Sequence, residues 1–370
     1  MKKNPFGARL EAFAAKIAER QLDAAVVFTQ ANVRALTGID CDNACLLVRP
    51  IPPGRKVTAR ALTRGVPSAD VTFYTDFRYV PAVERTAPWI KVADIKKLNG
   101  KAPLRFGKAS LKRIGFESLI TQAKYANLAK VFPGAAFTDV AADILELRAV
   151  KTADELDRLR AAEKLNDEIW SDAQRMFKPG MTEKDMARVI KHLMIERGDG
   201  EAFETIVCVG QNAAECHHVP DDTVWNGKEP ILVDMGVKLD GYCSDMTRNL
   251  VPARASKLYK KVYALVLEAN LRAIAAAKPG MTAGALDKVA RDYLTKNGFG
   301  KAFGHSLGHG VGIEIHEAPW AAKKQKTVLK PGMSVTIEPG VYLPGNLGVR
   351  IEDLVLITET GCEVISSSAK

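Results

Sequence analysis

Asp234 and Asp245 flank a turn at Lys238-Leu239-Asp240-Gly241, and Glu338 and Glu352 flank another at Leu343-Pro344-Gly345-Asn346-Leu347. Read as hairpins, the first pairs 237 with 242 and 234 with 245, and the second pairs 338 with 352 about Gly345. Directly opposite residues face the same side, where like charges repel. Desolvating them costs several kcal/mol per carboxylate unless a cation sits between them. Five of the six histidines (His217, His218, His305, His309, His316) adjoin these acids, and only His192 lies elsewhere. His305 and His309 are spaced like a helical zinc pair, but Gly304, Gly308, Gly310 and Gly312 disfavour a helix. We therefore place both on a strand, where i and i+4 share a face. Four carboxylates with one or two imidazoles suit two Mn(II), Co(II), Fe(II) or Zn(II) ions better than one tetrahedral structural zinc. Two such ions, about 3.5 to 4 Å apart, hold and ionise a bridging water, the nucleophile of a metallohydrolase.

A duplicated scaffold positions these residues. Lys178-Pro179-Gly180-Met181-Thr182 recurs 100 positions later as Lys278-Pro279-Gly280-Met281-Thr282, each copy opening a helix with Thr as N-cap. Ala202-Phe203 recurs as Ala302-Phe303, and Val233-Asp234-Met235-Gly236-Val237 as Ile337-Glu338-Pro339-Gly340-Val341. Each half of an α+β repeat thus carries a carboxylate at the same point. Upstream, residues 6–20 predict an amphipathic helix, 24–28 a buried strand, 32–36 a short helix closed by Gly38, and 45–49 and 71–75 further strands, an α/β pattern. The Pro-, Gly- and Arg-rich stretch Pro50 to Ser68 reads as a loop or hairpin insertion, and residues 140–172 as one long helical connection. We expect domains at 1–145 and 146–370.

Of the 370 residues, 47% are hydrophobic and 26% charged, enough apolar material for two packed domains and too much for a disordered chain. No run of about 18 uncharged apolar residues predicts a membrane span, and Met1-Lys2-Lys3-Asn4-Pro5 leads into no apolar signal core, so we expect a cytoplasmic protein. The six cysteines form no CxxC pair and read as reduced thiols. Residues 1–150 hold 24 Lys and Arg against 13 Asp and Glu, a charge of +11, leaving −1 for residues 151–370. Those basic residues are scattered without aromatic interleaving, which favours a solvated or subunit surface over nucleic-acid binding.

The motifs Val233-Asp234-Met235-Gly236, Ser244-Asp245-Met246-Thr247-Arg248, Gly308-His309-Gly310-Val311-Gly312, His316-Glu317-Ala318-Pro319, Ile337-Glu338-Pro339-Gly340 and Gly348-Val349-Arg350-Ile351-Glu352-Asp353 resemble those of the Xaa-Pro aminopeptidase, prolidase and methionine aminopeptidase family. Upstream, Asn32-Val33-Arg34-Ala35-Leu36-Thr37-Gly38 and Thr75-Asp76-Phe77-Arg78-Tyr79 resemble the N-terminal domain of its proline-specific and creatinase-like members, which methionine aminopeptidases lack. The resemblance covers the whole chain. It implies an α/β N-terminal domain followed by an α+β pita-bread catalytic domain with an internal pseudo-twofold repeat. It also implies metal ligands Asp234, Asp245, His309, Glu338 and Glu352, with Asp245 and Glu352 bridging. His316 matches the histidine that stabilises the tetrahedral intermediate, His217 and His305 match cleft histidines, Arg350 a supporting arginine, and Glu338 is also our choice of general base or proton shuttle. Intact ligands argue against metal-free creatinase-like enzymes and against binding proteins on this fold.

Two departures bear on specificity. The loop Glu215-Cys216-His217-His218-Val219-Pro220-Asp221-Asp222 looks more like that of methionine aminopeptidases than of the proline-specific branch. Trp320 stands where prolidases often carry an Arg that reads a dipeptide's C-terminal carboxylate, and it has no charge to clamp that group. We therefore expect a dinuclear aminopeptidase, with Mn(II) first among the candidate metals. It would cleave the N-terminal Xaa-Pro bond of peptides through a metal-bridged hydroxide. An Xaa-Pro dipeptidase is the second reading; a hydrolase of non-peptide amides and a ligand-binding scaffold with a vestigial site are further alternatives. The resemblance further implies a homodimer or larger homo-oligomer, in keeping with the prevalence of two-fold association.

Overall fold

The computed structural model describes residues 6–50, 69–100 and 111–370, so most of the stretch read as an insertion lies outside the described residues. The chain divides into two compact units, Met1–Arg148 and Ala149–Lys370.

The first unit opens with α1 (Gly7–Glu19), β1 (Ala24–Val27), α2 (Gln30–Thr37), β2 (Ala44–Pro50), β3 (Ala69–Thr75), α3 (Val80–Thr86) and β4 (Lys91–Asp94). It continues with β5 (Arg113–Phe116), α4 (Gln122–Val131), β6 (Ala136–Asp139) and α5 (Ala141–Ala149). Its six strands form one mixed sheet in the order β4-β3-β2-β1-β5-β6. Side chains alternate across it: Ala25, Val27, Leu46 and Phe73 pack with Leu10 and Phe13 of α1. Ala24, Val26, Cys45 and Tyr74 pack with Leu128 and Val131 of α4 on the other face. Gly38, at φ 75°, caps α2 as expected.

The second unit begins at Ala149, three residues after the expected boundary. The expected continuous helix is broken between α5 and α6 (Ala153–Met176), because Thr152 forms a capping box with Glu155 and Val150 is drawn into a β-bridge with Met333. There follow α7 (Glu183–Arg197), β7 (Gly200–Glu201), β8 (Ile206–Val209), β9 (Ile231–Met235), β10 (Val237–Leu239), β11 (Tyr242–Cys243) and β12 (Met246–Leu250). The second half runs through α8 (Lys257–Ala276), α9 (Ala283–Lys296), β13 (Gly308–Gly310), β14 (Glu317–Ala321), β15 (Ser334–Ile337), β16 (Gly340–Leu343), β17 (Leu347–Arg350), β18 (Asp353–Ile357) and β19 (Cys362–Val364).

The repeat is structural. Thr182 and Thr282 both N-cap helices, preceded by Gly180 and Gly280 at φ 98° and 82°. Each half has its own core, one around α6, α7, β8 and β9, the other around α8, α9, β15 and β18. Buried Asn166 of α6 donates to Met235 O at 3.0 Å and buried Asn270 of α8 to Ile337 O at 2.9 Å. Each helix thereby ties down the backbone beside one repeated carboxylate. The first unit is the expected α/β domain and the second the expected duplicated α+β domain. Among the described residues no helix is long and apolar enough to cross a membrane.

Candidate metal centre

The two hairpins place their acids differently from each other. In the first, Asp234 pairs with Thr247 and Leu239 with Tyr242, so Asp234 and Asp245 are not directly opposite. The loop has two residues, not four: Asp240 and Gly241, at φ 49° and 71°, make the tight Asp-Gly turn that matches strand twist. The two-residue shift preserves the facing side. The second hairpin has the expected register, with Gly340 opposite Arg350 and Ile337 opposite Asp353, so Glu338 and Glu352 bracket the break between these paired segments. His309 lies at the centre of β13, which passes so close to β15 that a Cβ on Gly308 would sit 1.9 Å from Thr336 O. His305 is not on that strand; it precedes it in a bend, and its side chain reaches the cavity from there.

Asp234, Asp245, His309, Glu338, Glu352, His217, His305, His316 and Arg350 all line one cavity of about 350 Å³. Oxygens of Asp245 and Glu352 and a ring nitrogen of His309 lie within 4.8 Å of one another. His309 Nδ1 is 3.1 Å from Gly310 O, which can only accept, so Nδ1 carries the proton. Nε2 is then a lone pair 3.6 Å from Asp245 and 3.5 Å from Glu338. Burial pushes the His309 imidazolium down to about 4, so protonation does not rescue the contact near neutrality. Burial, followed by mutual repulsion, also drives Asp245 and Glu352 well above the carboxylate range and, with Asp234 nearby, raises Glu338 to about 8. Asp234 Oδ1 is buried without a hydrogen-bond partner. Buried acids that ionise this reluctantly when left to themselves, beside an orphaned Asp234 oxygen and a neutral imidazole, are stabilised as carboxylates by a cation, and the residues fit a divalent metal.

Arg350 holds the other side of the acids. Its guanidinium donates to Asp234 Oδ2 at 2.6 Å, Thr247 Oγ1 at 3.0 Å, Tyr342 Oη at 2.9 Å and Cys216 O at 3.2 Å. Thr247 in turn donates to Glu352 at 2.7 Å. His305 Nδ1 faces Ser306 O at 2.8 Å, so its Nε2 accepts from Tyr342 Oη at 2.9 Å, completing an Arg350-Tyr342-His305 chain. Burial lowers His305 to about 4 and so keeps it neutral. The His316 ring stands edge-on to His309, with centroids 4.4 Å apart, and stacks on Trp320. Burial lowers its pKa as well.

Sequence reasoning missed three members of this surround. Tyr342 lies four positions past Glu338, but the break between β15 and β16 interrupts the alternation that would place both on one face. Glu183 is fully buried and accepts from Val209 N, Asn212 Nδ2, His218 Nε2 at 2.7 Å and Asp221 N at 3.0 Å, pinning the loop that carries His217. The signal for Glu183 was a mismatch between the repeats, Thr182-Glu183 against Thr282-Ala283. Glu163 on α6 accepts from Asp245 N at 3.1 Å and had no sequence signal beyond helix periodicity.

Residues 157–359, more than half of the chain, match the model of Metallopeptidase family M24. The chain belongs to that family. Residues 9–150 match the Creatinase/Prolidase N-terminal domain. This family member is 37% identical over 258 residues to an Xaa-Pro dipeptidase of Pyrococcus furiosus, across 70% of this chain and 74% of that protein. Among solved structures it resembles an Xaa-Pro dipeptidase from Bacillus anthracis at a TM-score of 0.88 and 30% identity, covering 99% and 98% of the two chains. It also resembles an X-Pro aminopeptidase from Thermotoga maritima at 0.80 and 27%, covering 95% and 98%. The chain is thus a metallopeptidase with relatives among Xaa-Pro peptidases.

Proposed function

We propose that this metallopeptidase is an aminopeptidase that releases the N-terminal residue from peptides with proline in second position. Asp234, Asp245, His309, Glu338 and Glu352 would hold two divalent ions, Mn(II) first, with Co(II), Fe(II) and Zn(II) compatible with the same donors. The observation that carries this reading is the neutral His309 Nε2 aimed among buried carboxylates, an arrangement unfavourable without a cation. When bound, such ions polarise a substrate carbonyl and make water nucleophilic at neutral pH.

The chain's own groups do the rest. Asp245 and Glu352, with ligand atoms near His309, would hold the ions together with it, and Arg350 and Thr247 orient Asp234 and Glu352 so that their oxygens stay in place. Glu338 takes the proton from the attacking water and passes it to the proline nitrogen as the C–N bond breaks. His316, held by its stack on Trp320, donates a hydrogen bond to the carbonyl oxygen as negative charge develops there. His217 and His305 line the cleft walls, His305 with its orientation set by Tyr342.

Substrate length follows from what the cavity lacks. Among the described residues lining it, Arg350 is the only Arg or Lys, and it is buried against Asp234. Trp320 is 44% exposed and carries no charge for a dipeptide's C-terminal carboxylate. The names of the Pyrococcus furiosus and Bacillus anthracis relatives favour the second reading, an Xaa-Pro dipeptidase. Metal-stripped protein reloaded with Mn(II) and given Ala-Pro and Ala-Pro-Ala-Ala in parallel separates them: release of alanine from the longer peptide is expected. Cleavage of the dipeptide alone would establish the second reading, and no hydrolysis of either with any of the four metals would overturn both.

A further inference from the structure

Glu163 and Asp167 sit one turn apart on the inward face of α6, both buried, and neither lines the cavity. Neighbouring buried acids destabilise a fold unless donors meet them. Donors come from Ser366, Ser367 and Ser368 of the segment Ser366-Ser367-Ser368-Ala369-Lys370, small polar residues that composition alone would leave in solvent. Ser366 Oγ donates to Glu163 Oε1 at 2.7 Å, and Ser367 and Ser368 each give a backbone N–H and a hydroxyl to Asp167, at 2.6 to 2.8 Å.

Through one intermediary each, the same segment reaches the backbones of Asp245 and Glu352. Glu163 Oε2 accepts from Asp245 N at 3.1 Å. Arg248 donates to Ser368 O at 3.0 Å, to Thr247 O at 3.0 Å and to Glu352 O, and pairs with Asp353 at 2.9 Å. Lys370 Nζ closes the circuit on Asp353 at 2.6 Å and Asn270 at 2.9 Å. We propose that Ser366–Lys370 is a positioning strap, which fixes Asp245 through Glu163 and Glu352 through Arg248 and Asp353 at the separation two divalent ions require. This rests on the metal-centre reading. The strap residues touch neither substrate nor metal; without the Ser366 hydroxyl, Glu163 loses the contact opposite its bond to Asp245 and the Asp245 backbone is freed to move.

The test is calorimetric titration of Mn(II) into the metal-stripped full chain, well below the melting temperature of every variant. Ser366→Ala and Asp167→Asn are expected to weaken Mn(II) binding about 10-fold or more, the scale of outer-shell losses, while Ser366→Thr, which keeps the hydroxyl, stays within about twofold. A purely structural segment would lower the melting temperature and leave the affinity alone. Wild-type binding matched by Ser366→Ala and Asp167→Asn overturns the strap and spares the metal centre. A wild-type protein that takes up no Mn(II) overturns the metal centre and the strap with it. If Ser366→Ala does not fold, Asp167→Asn decides by the same criterion.

Discussion

Glu338→Ala should lower kcat/KM by about 10³-fold or more, since it removes a metal ligand and the proton carrier together. The loss should have two parts. Mn(II) titration should show weakened uptake, and saturating Mn(II) should restore occupancy without restoring turnover. Stability should move the other way. In the metal-free protein Glu338 is a desolvated acid beside Asp234, Asp245 and Glu352, so its removal relieves repulsion. The metal-stripped variant is expected to melt no lower than metal-stripped wild type. A variant that keeps full activity would remove Glu338 from the mechanism; one that melts much lower without metal would show that the acids are held by something other than a cation.

His316→Ala is expected to separate binding from chemistry. The imidazole contacts His309 and Trp320 ring to ring, and its assigned role is at the substrate carbonyl rather than on a metal. Mn(II) affinity should therefore stay within about threefold, while kcat falls about 10² to 10³-fold and KM changes little, the signature of an interaction made in the transition state. Steady-state kinetics beside calorimetry checks both halves. Equal losses of metal affinity and turnover would instead make His316 a support for His309.

The candidate site residues were legible because the fold is duplicated: matching Asp234 and Glu338 in two copies of one motif is a stronger signal than either acid alone. Their exact pairing was partly legible. The Glu338–Glu352 register followed from symmetry about Gly345, whereas the Asp234 register depended on Asp240 and Gly241 both adopting positive φ, which shortens the loop and slides the partner by two residues. His305 lines the cavity from a bend and not from the expected strand, because spacing alone does not separate a strand from the bend before it. Tertiary partners were least legible. Glu163 and the serines at 366–368 look like ordinary surface residues in sequence, Glu183 stands out only as a mismatch between the repeats, and only the folded chain brings each to partners 26 to 203 positions away.

Metal content tests the central claim most directly. Chain equilibrated with Mn(II), passed through a desalting column and measured by plasma mass spectrometry should retain close to two ions, as a paired-ion site requires. Asp245→Ala should retain fewer. Wild-type protein that retains none of Mn(II), Co(II), Fe(II) or Zn(II) under the same conditions would contradict the account.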